Sequence, residues 1–416
     1  MTLKHPLDPL ESQEIEKAVE LLKSDIRFNE GSTFISAILD EPDKSIVSDY
    51  KENDSIPRKI KLLGSDKNPD GGFCAKIDIV KNQVVSYERL KANGQAPYNM
   101  EEMMTAIGLT IQNLEYQKAL KKRGITDFEL LHIDPWPAGG FVHESIKPGH
   151  RALKCISFVK ESIDDNGYAK PIQGVISWVD ITLGKVVHVE DHGVVPIPKE
   201  QARYDIESQP KIREGLKNIN ITQPNGPSFE VDGYHISWQG WKFRISIHDI
   251  QGLVLHELSL NDRSILYRAA LSDMVVPYGD SDPMHSWKHV FDGSEYGLGR
   301  FINSLTLGCD CIGEIQYFDI NQINWDGEII KTENAICLHE EDYGIQWKHS
   351  DDRGGASEVR RSRRLVISSI FTVGNYDYGL FWYLYLDGTI QMEVKLTGIM
   401  GISAITEETY NPSQAP

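Results

Sequence analysis

Helical and strand periods alternate through the first half of the chain and give way to strand periods alone in the second. Ile15, Ala18, Val19, Leu21 and Leu22 recur at near-helical spacing. Asp8 stands before them as a cap, with Pro9 at the first helical position and Glu11 near the positive end of the helix dipole. Two-residue alternation follows at 33–39, 59–63, 75–80 and 83–90, so the pattern predicts one helix packed on an antiparallel sheet. A second unit of the same kind begins near residue 96. Asn99 caps a helix with Glu102 three positions on, and residues 111–123 continue in helical character until Gly124 stops them. Strands are predicted at 153–159, 174–179 and 185–189.

Residues 201–227 are polar and carry Pro210, Pro224, Asn225, Gly226 and Pro227, the composition of a linker. Beyond them come short strand signals at 234–238, 241–247, 253–260, 264–271 and 365–371, with almost no helix. Asn375 to Thr389 reads as an aromatic hairpin: Phe381, Tyr383 and Tyr385 alternate with Trp382 and Leu384, and Asp387-Gly388 is a two-residue turn signal. The fold class predicted is α+β. Two small α+β domains, 1–95 and 96–200, precede the linker 201–227 and an antiparallel β-sandwich, 228–416.

Composition narrows the partners. A chain of 416 residues with 40% hydrophobic and 25% charged residues is an ordinary globular sequence. A formal net charge of -18 argues against nucleic acid and anionic membrane as partners, since phosphate binding needs clustered Lys and Arg. The one basic cluster, Arg360-Arg361-Ser362-Arg363-Arg364, is short and reads as a solvated loop or a structural anion contact. Met1 to Pro6 shows neither the apolar run of a signal peptide nor that of a membrane span, so an intracellular location is expected.

Several residues invite chemistry. Cys309, Cys311, Cys337 and His339 form a Cys-x-Cys and Cys-x-His set that could hold zinc, although the spacing is not that of a zinc knuckle. His188 and His192 stand four apart, but Lys185-Val186-Val187 is strand-like, so they need not share a face. His256, His339 and His349 read as strand or loop histidines, and Cys74 and Cys155 as buried small residues.

Thr372-Val373-Gly374-Asn375-Tyr376-Asp377-Tyr378 is more specific. On composition it is part of a buried aromatic strand, but it resembles the Thr-x-x-Asn-Tyr-Asp/Glu-Tyr signature of the copper-containing amine oxidases. Tyr278-Gly279-Asp280, Phe291-Asp292, Cys309-Asp310-Cys311 and Ile336-Cys337-Leu338-His339-Glu340-Glu341-Asp342 precede it in the order of that family's landmarks.

The resemblance implies a primary-amine oxidase that converts amine, dioxygen and water to aldehyde, ammonia and hydrogen peroxide. In it Tyr376 is oxidised in place to the cofactor topaquinone, which captures the amine as a Schiff base. Asp292 takes the place of the catalytic base; a carboxyl at the usual pKa of about 3.9 is a poor base, so burial must raise it, with Phe291 as the expected neighbour. Tyr278 matches the hydrogen-bonding partner of the quinone's far oxygen, Asn375 helps orient the ring, and Val290 falls where several relatives have an aromatic gate. Cys311 and Cys337 match a disulfide, leaving Cys309 free. The two small domains are expected to shape the substrate entrance, and the complete protein to be a homodimer. Its location is cytoplasmic or, as in some fungal members, peroxisomal, although the Gln-Ala-Pro ending is not a Ser-Lys-Leu signal.

The family's copper is held by three histidines downstream of the quinone tyrosine. None of the thirteen histidines here matches those positions, and the chain reaches Pro416 before them. On this reading the copper ligands are absent from this chain, the sandwich is incomplete, and the hairpin arms that embrace the partner subunit lie beyond it. The chain by itself is then expected to bind no catalytic copper and to make no quinone. The alternative is a truncated, non-catalytic protein of the same type with a binding or pairing role.

Overall fold

The computed structural model describes residues 5–51, 54–55, 58–66, 72–90, 94–140, 142–200, 202–209 and 214–406. Pro210 of the expected linker and both ends of the chain lie outside the described residues. The protein is mostly β, with few helices and four antiparallel sheets.

Helix α1 (Ser12–Lys23) is followed by β1 (Thr33–Leu39), a short α2 (Lys44–Asp49), β2 (Lys59–Ser65), β3 (Phe73–Asp78) and β4 (Gln83–Arg89), whose strands pair in chain order. Ile15, Ala18, Val19 and Leu22 bury the apolar stripe of α1 against Phe34, Ile60, Leu62 and Phe73. The helix begins later than expected, capped by Glu11 in a capping box with Glu14. Asp8 and Pro9 are used otherwise: their carbonyl oxygens accept from Arg58, at 2.9 and 3.0 Å, and the Asp8 carboxylate pairs with Arg244 at 2.6 Å.

The second unit holds α3 (Met100–Gln112), α4 (Leu114–Lys122), β5 (Leu131–Pro137), β6 (Ala152–Val159), β7 (Val175–Asp180) and β8 (Lys185–Asp191). Asn99 and Glu102 form the predicted capping box. The helical run is not continuous to Arg123, because the Asn113 side chain accepts from the Tyr116 N–H and starts a new helix there. Gly124, at φ +79, ends it. Strand β5 was not predicted: two prolines mask it, and it is tolerated at the sheet edge, where a missing N–H costs no pairing.

Two five-stranded sheets make up the rest. One contains β9 (Glu230–Asp232), β10 (His235–Trp238), β11 (Trp241–His248), β12 (Gly252–Leu260) and β13 (Arg263–Ala269); the other contains β14 (Gln316–Ile323), β15 (Ile329–Ser350), β16 (Ser357–Val373), β17 (Tyr376–Tyr385) and β18 (Ile390–Gly398). Trp238, Trp241, Phe243 and Leu255 of the first share a core with Ile336, Leu365, Phe371 and Leu380 of the second, and that core runs on into Leu153 and Val175 of the second unit. The buried Trp indoles are satisfied across the interface: Trp241 donates to the Tyr385 carbonyl and Trp238 to Glu340, each at 2.9 Å.

Two sequence expectations change. The aromatic hairpin pairs Leu384 with Ile390, and the Tyr385 N–H donates to the Thr389 carbonyl at 3.0 Å, so residues 386–388 form a three-residue loop in place of a two-residue turn. The basic run lies within β16, not in a loop, where Arg363 and Arg364 pair with Glu340 and Glu341 at 3.3 and 2.6 Å and Arg361 pairs with Asp342. Cross-strand pairing offsets those charges, while the Arg361 and Arg363 side chains stay about half exposed. Beyond these residues, among the described residues, β15 and β16 pair only with each other, as a ribbon whose Tyr343, Ile345, Trp347 and Val359 are exposed. A long hairpin thus runs out from this sheet.

Candidate active site

The geometry starts from a tight turn. Gly374, at φ +61, and Asn375 connect β16 to β17, so Tyr376 opens β17 between Val373 on one neighbour and Gly398 on the other. The Tyr376 hydroxyl meets the Tyr278 hydroxyl at 2.7 Å, while Tyr278 is tied by its N–H to the Lys288 carbonyl at 2.9 Å. Asn375 donates from Nδ2 to the Ile399 carbonyl at 2.7 Å, which holds residues 399–401 beside the ring. A Cβ on Gly401 would lie 3.0 Å from the Tyr376 oxygen and 3.7 Å from that of Tyr278, so the absent side chain leaves room at these hydroxyls.

Asp292 enters from a separate segment. Its N–H donates to the Met274 carbonyl at 2.8 Å, and it heads a single π-helical turn, 292–296. The side chain is buried, and burial pushes its carboxyl up to about 6; a hydrogen bond from the Tyr378 hydroxyl acts the other way, and Asp273 and Glu295 raise it further. Phe291, its neighbour in sequence, is 42% exposed. Tyr378 stands two residues from Tyr376, on the same face of β17, with the two rings 6.4 Å apart, and links the carboxylate to the tyrosine pair. Beside the Asp292 turn a cavity of about 450 Å³ is lined by Tyr98, Gly139, His289, Phe291 and Glu295.

The structure therefore brings Tyr278, Tyr376 and Asn375 together and places Asp292 against Tyr378. Val290 is buried in the main core. Sequence reasoning missed Tyr378, although strand alternation from Tyr376 would have pointed to it. It also missed Gly401 and the buried Lys288, for which no local signal exists.

Cys311 and Cys337, like the other three cysteines, carry free thiols in the structure, and the two lie side by side as a hydrogen-bonded pair. Cys337 Sγ lies 3.3 Å from His339 Nδ1, whose Nε2 lies 3.3 Å from Glu341, so the imidazole is committed to neighbours. Among the described residues no group of three or more His, Cys, Asp or Glu is arranged to hold a metal ion. His188 stacks on His143 and His192 pairs with Glu190, apart from each other in role. Among the described residues no helix is long and apolar enough to cross a membrane.

Comparisons with known proteins fit this arrangement. Three family models match: "Copper amine oxidase, N2 domain" over residues 5–62, "Copper amine oxidase, N3 domain" over 101–209, and "Copper amine oxidase, enzyme domain" over 230–415. The chain is similar to the primary amine oxidase of Arthrobacter sp. (strain P1), 41% identical over 99% of this chain and 63% of the relative. It is also similar to the histamine oxidase of Arthrobacter globiformis, 38% identical over 98% of this chain and 60% of the relative. Among solved structures, the copper-containing benzylamine oxidase from Hansenula polymorpha matches with a TM-score of 0.85 at 26% identity, over 95% of this chain and 65% of that one. The chain thus spans less than two thirds of the length of each.

Proposed function

This chain belongs to the copper amine oxidase family, and we propose that it supplies the amine-binding and quinone-bearing part of a primary-amine oxidase acting on small amines with dioxygen. The observation that carries this reading is the Tyr376–Tyr278 hydroxyl contact at 2.7 Å beside the side-chain-free Gly401, with the buried Asp292 reached through Tyr378. Residue 376 fits the quinone, because its ring edge is left uncrowded and its oxygen has a fixed partner. Topaquinone there supplies the electrophilic carbonyl and the electron sink. Copper carries no step in this reading.

The chain's own groups do the rest. Tyr278 donates to the oxygen at position 376 and holds the ring's orientation, while Asn375 keeps residues 399–401 in place against it. The Asp292 carboxylate accepts the α-proton of the bound amine, with the Tyr378 hydroxyl orienting it. The cavity beside Phe291 and Glu295 admits the amine. The division into domains 1–95 and 96–200, linker 201–227 and a sandwich portion 228–416 belongs to the same reading, supported by the separate sheets of each part.

The sign of the pH dependence follows from Asp292. Its carboxylate is the working form, so turnover is expected above about pH 6 and to fall as pH drops through that value. Hydrogen peroxide release from the complete, copper-loaded enzyme with a simple primary amine measures both. No peroxide at any pH leaves the non-catalytic alternative standing, and a rate unchanged down to about pH 4 removes Asp292 as the base.

We also propose that Cys311 and Cys337 close to a disulfide in an oxidising environment. Hydrogen bonding from Cys337 holds the Cys311 thiol down at about 6, so it is the nucleophile of the pair, while Cys337 is pushed up. Thiol titration of the denatured protein is expected to count all five cysteines after reduction and two fewer after mild oxidation. Retention of all five, or loss of Cys74 or Cys155 in their place, contradicts the pairing.

A further inference from the structure

Tyr278 has a second neighbour besides Tyr376. The Lys288 ammonium lies 5.2 Å from the centre of its ring and 4.6 Å from that of Trp136, and the two rings meet edge to face at 6.2 Å. Lys288 is 5% exposed, and among the described residues no carboxylate lies within ion-pair distance of it. Asp134, whose Oδ2 accepts from the Trp136 indole at 2.8 Å, and Asp280, paired with His285 at 3.2 Å, act on it at longer range, as does Asp282. A buried ammonium without a paired carboxylate is costly to keep. Here it closes a narrow cavity of about 20 Å³, lined also by Asp134, Tyr168, Tyr278 and Asn375, with room for roughly one water molecule.

We propose that Lys288 is a positioning residue, whose ammonium polarises the ring of Tyr278 and so strengthens the hydrogen bond that Tyr278 donates to the oxygen at position 376. A cation over an aromatic face draws electron density from the ring, and a phenol depleted in this way is a stronger donor. The role in turnover rests on the reading of Tyr376 above; the contact itself does not. Burial lowers Lys288 to about 8, with Asp134, Asp280 and Asp282 opposing it. The other groups facing it titrate elsewhere: Asp134 is raised only to about 6, His285 is lowered below its ordinary value, and Tyr168 and Tyr278 are raised.

Carbon-13 NMR of the protein labelled at tyrosine Cζ tests this without the quinone. The Tyr278 and Tyr376 signals, assigned with Tyr278→Phe and Tyr376→Phe, are expected to step together with a midpoint near pH 8, where Lys288 loses its proton. In Lys288→Met both signals are expected at their high-pH positions throughout, and in Lys288→Arg at their low-pH positions. No step near pH 8 in the native protein, or a step that survives in Lys288→Met, overturns the proposal; if Lys288→Met does not fold, the native protein and Lys288→Arg still decide. Failure of the complete, copper-loaded enzyme to form a quinone would instead count against the reading of Tyr376 and leave the step in place.

Discussion

In the complete enzyme, Asp292→Asn is expected to lower amine turnover by about 10²–10⁴-fold while leaving the quinone band at full strength. An amide cannot take the α-proton, yet it fills the same space beside Tyr378. Stability is expected to move the other way. The carboxyl titrates at about 6 in the folded chain against 3.8 in the unfolded one, so the unfolded state gives up its proton first as pH rises. Above about pH 6 the ionised group therefore costs the fold roughly 3 kcal/mol, a cost that vanishes below the unfolded value. The neutral Asn variant should melt at the same temperature as the parent or higher at pH 7. Steady-state rates within a few-fold of the parent would show that another group takes the proton.

In the complete enzyme, Tyr376→Phe is expected to abolish the quinone outright, since a phenyl ring offers no oxygen from which oxidation can start. The structural loss is small. One hydrogen bond to Tyr278 disappears, worth about 1 kcal/mol net, and the ring still packs against Tyr378 at the start of β17. The variant should therefore fold like the parent, show no quinone absorption after copper loading in air, and form no coloured adduct with phenylhydrazine. An adduct in this variant would move the cofactor to a different tyrosine, with Tyr378 the first to examine.

The parts of the fold that could be read from sequence are those whose cause is local. The Asn99–Glu102 capping box, the alternation of β11 and the stop at Gly124 depend on residues within a few positions of one another, and each stands where it was expected. Elements set by distant partners could not be read. Asp8 and Pro9 look like a helix start until Arg58 and Arg244 claim them. Strand β15 escaped because only its middle, Ala335 to Glu340, is buried, and the charged remainder has no inward face to alternate. The site shows the same division. Tyr376, Tyr278 and Asn375 carried a motif, and the structure brings them together, whereas Lys288 is an ordinary lysine in sequence until folding encloses it between two aromatic rings.

The long β15–β16 hairpin also has a consequence for how the molecule breathes. Its base is flanked by β14 and β17 and sits in the main core, where opening an amide requires disrupting the whole sheet. Its outer part is a two-stranded ribbon in water, an arrangement of marginal stability by itself. Hydrogen exchange along a single pair of strands thus grades from among the slowest amides, around Ile336 and Ile367, to rapid fraying past Tyr343. That fast end lies on a continuous strand with Tyr376 just across the turn at its other end, so disorder at the ribbon's tip is insulated from the chemistry by the rigid span between them.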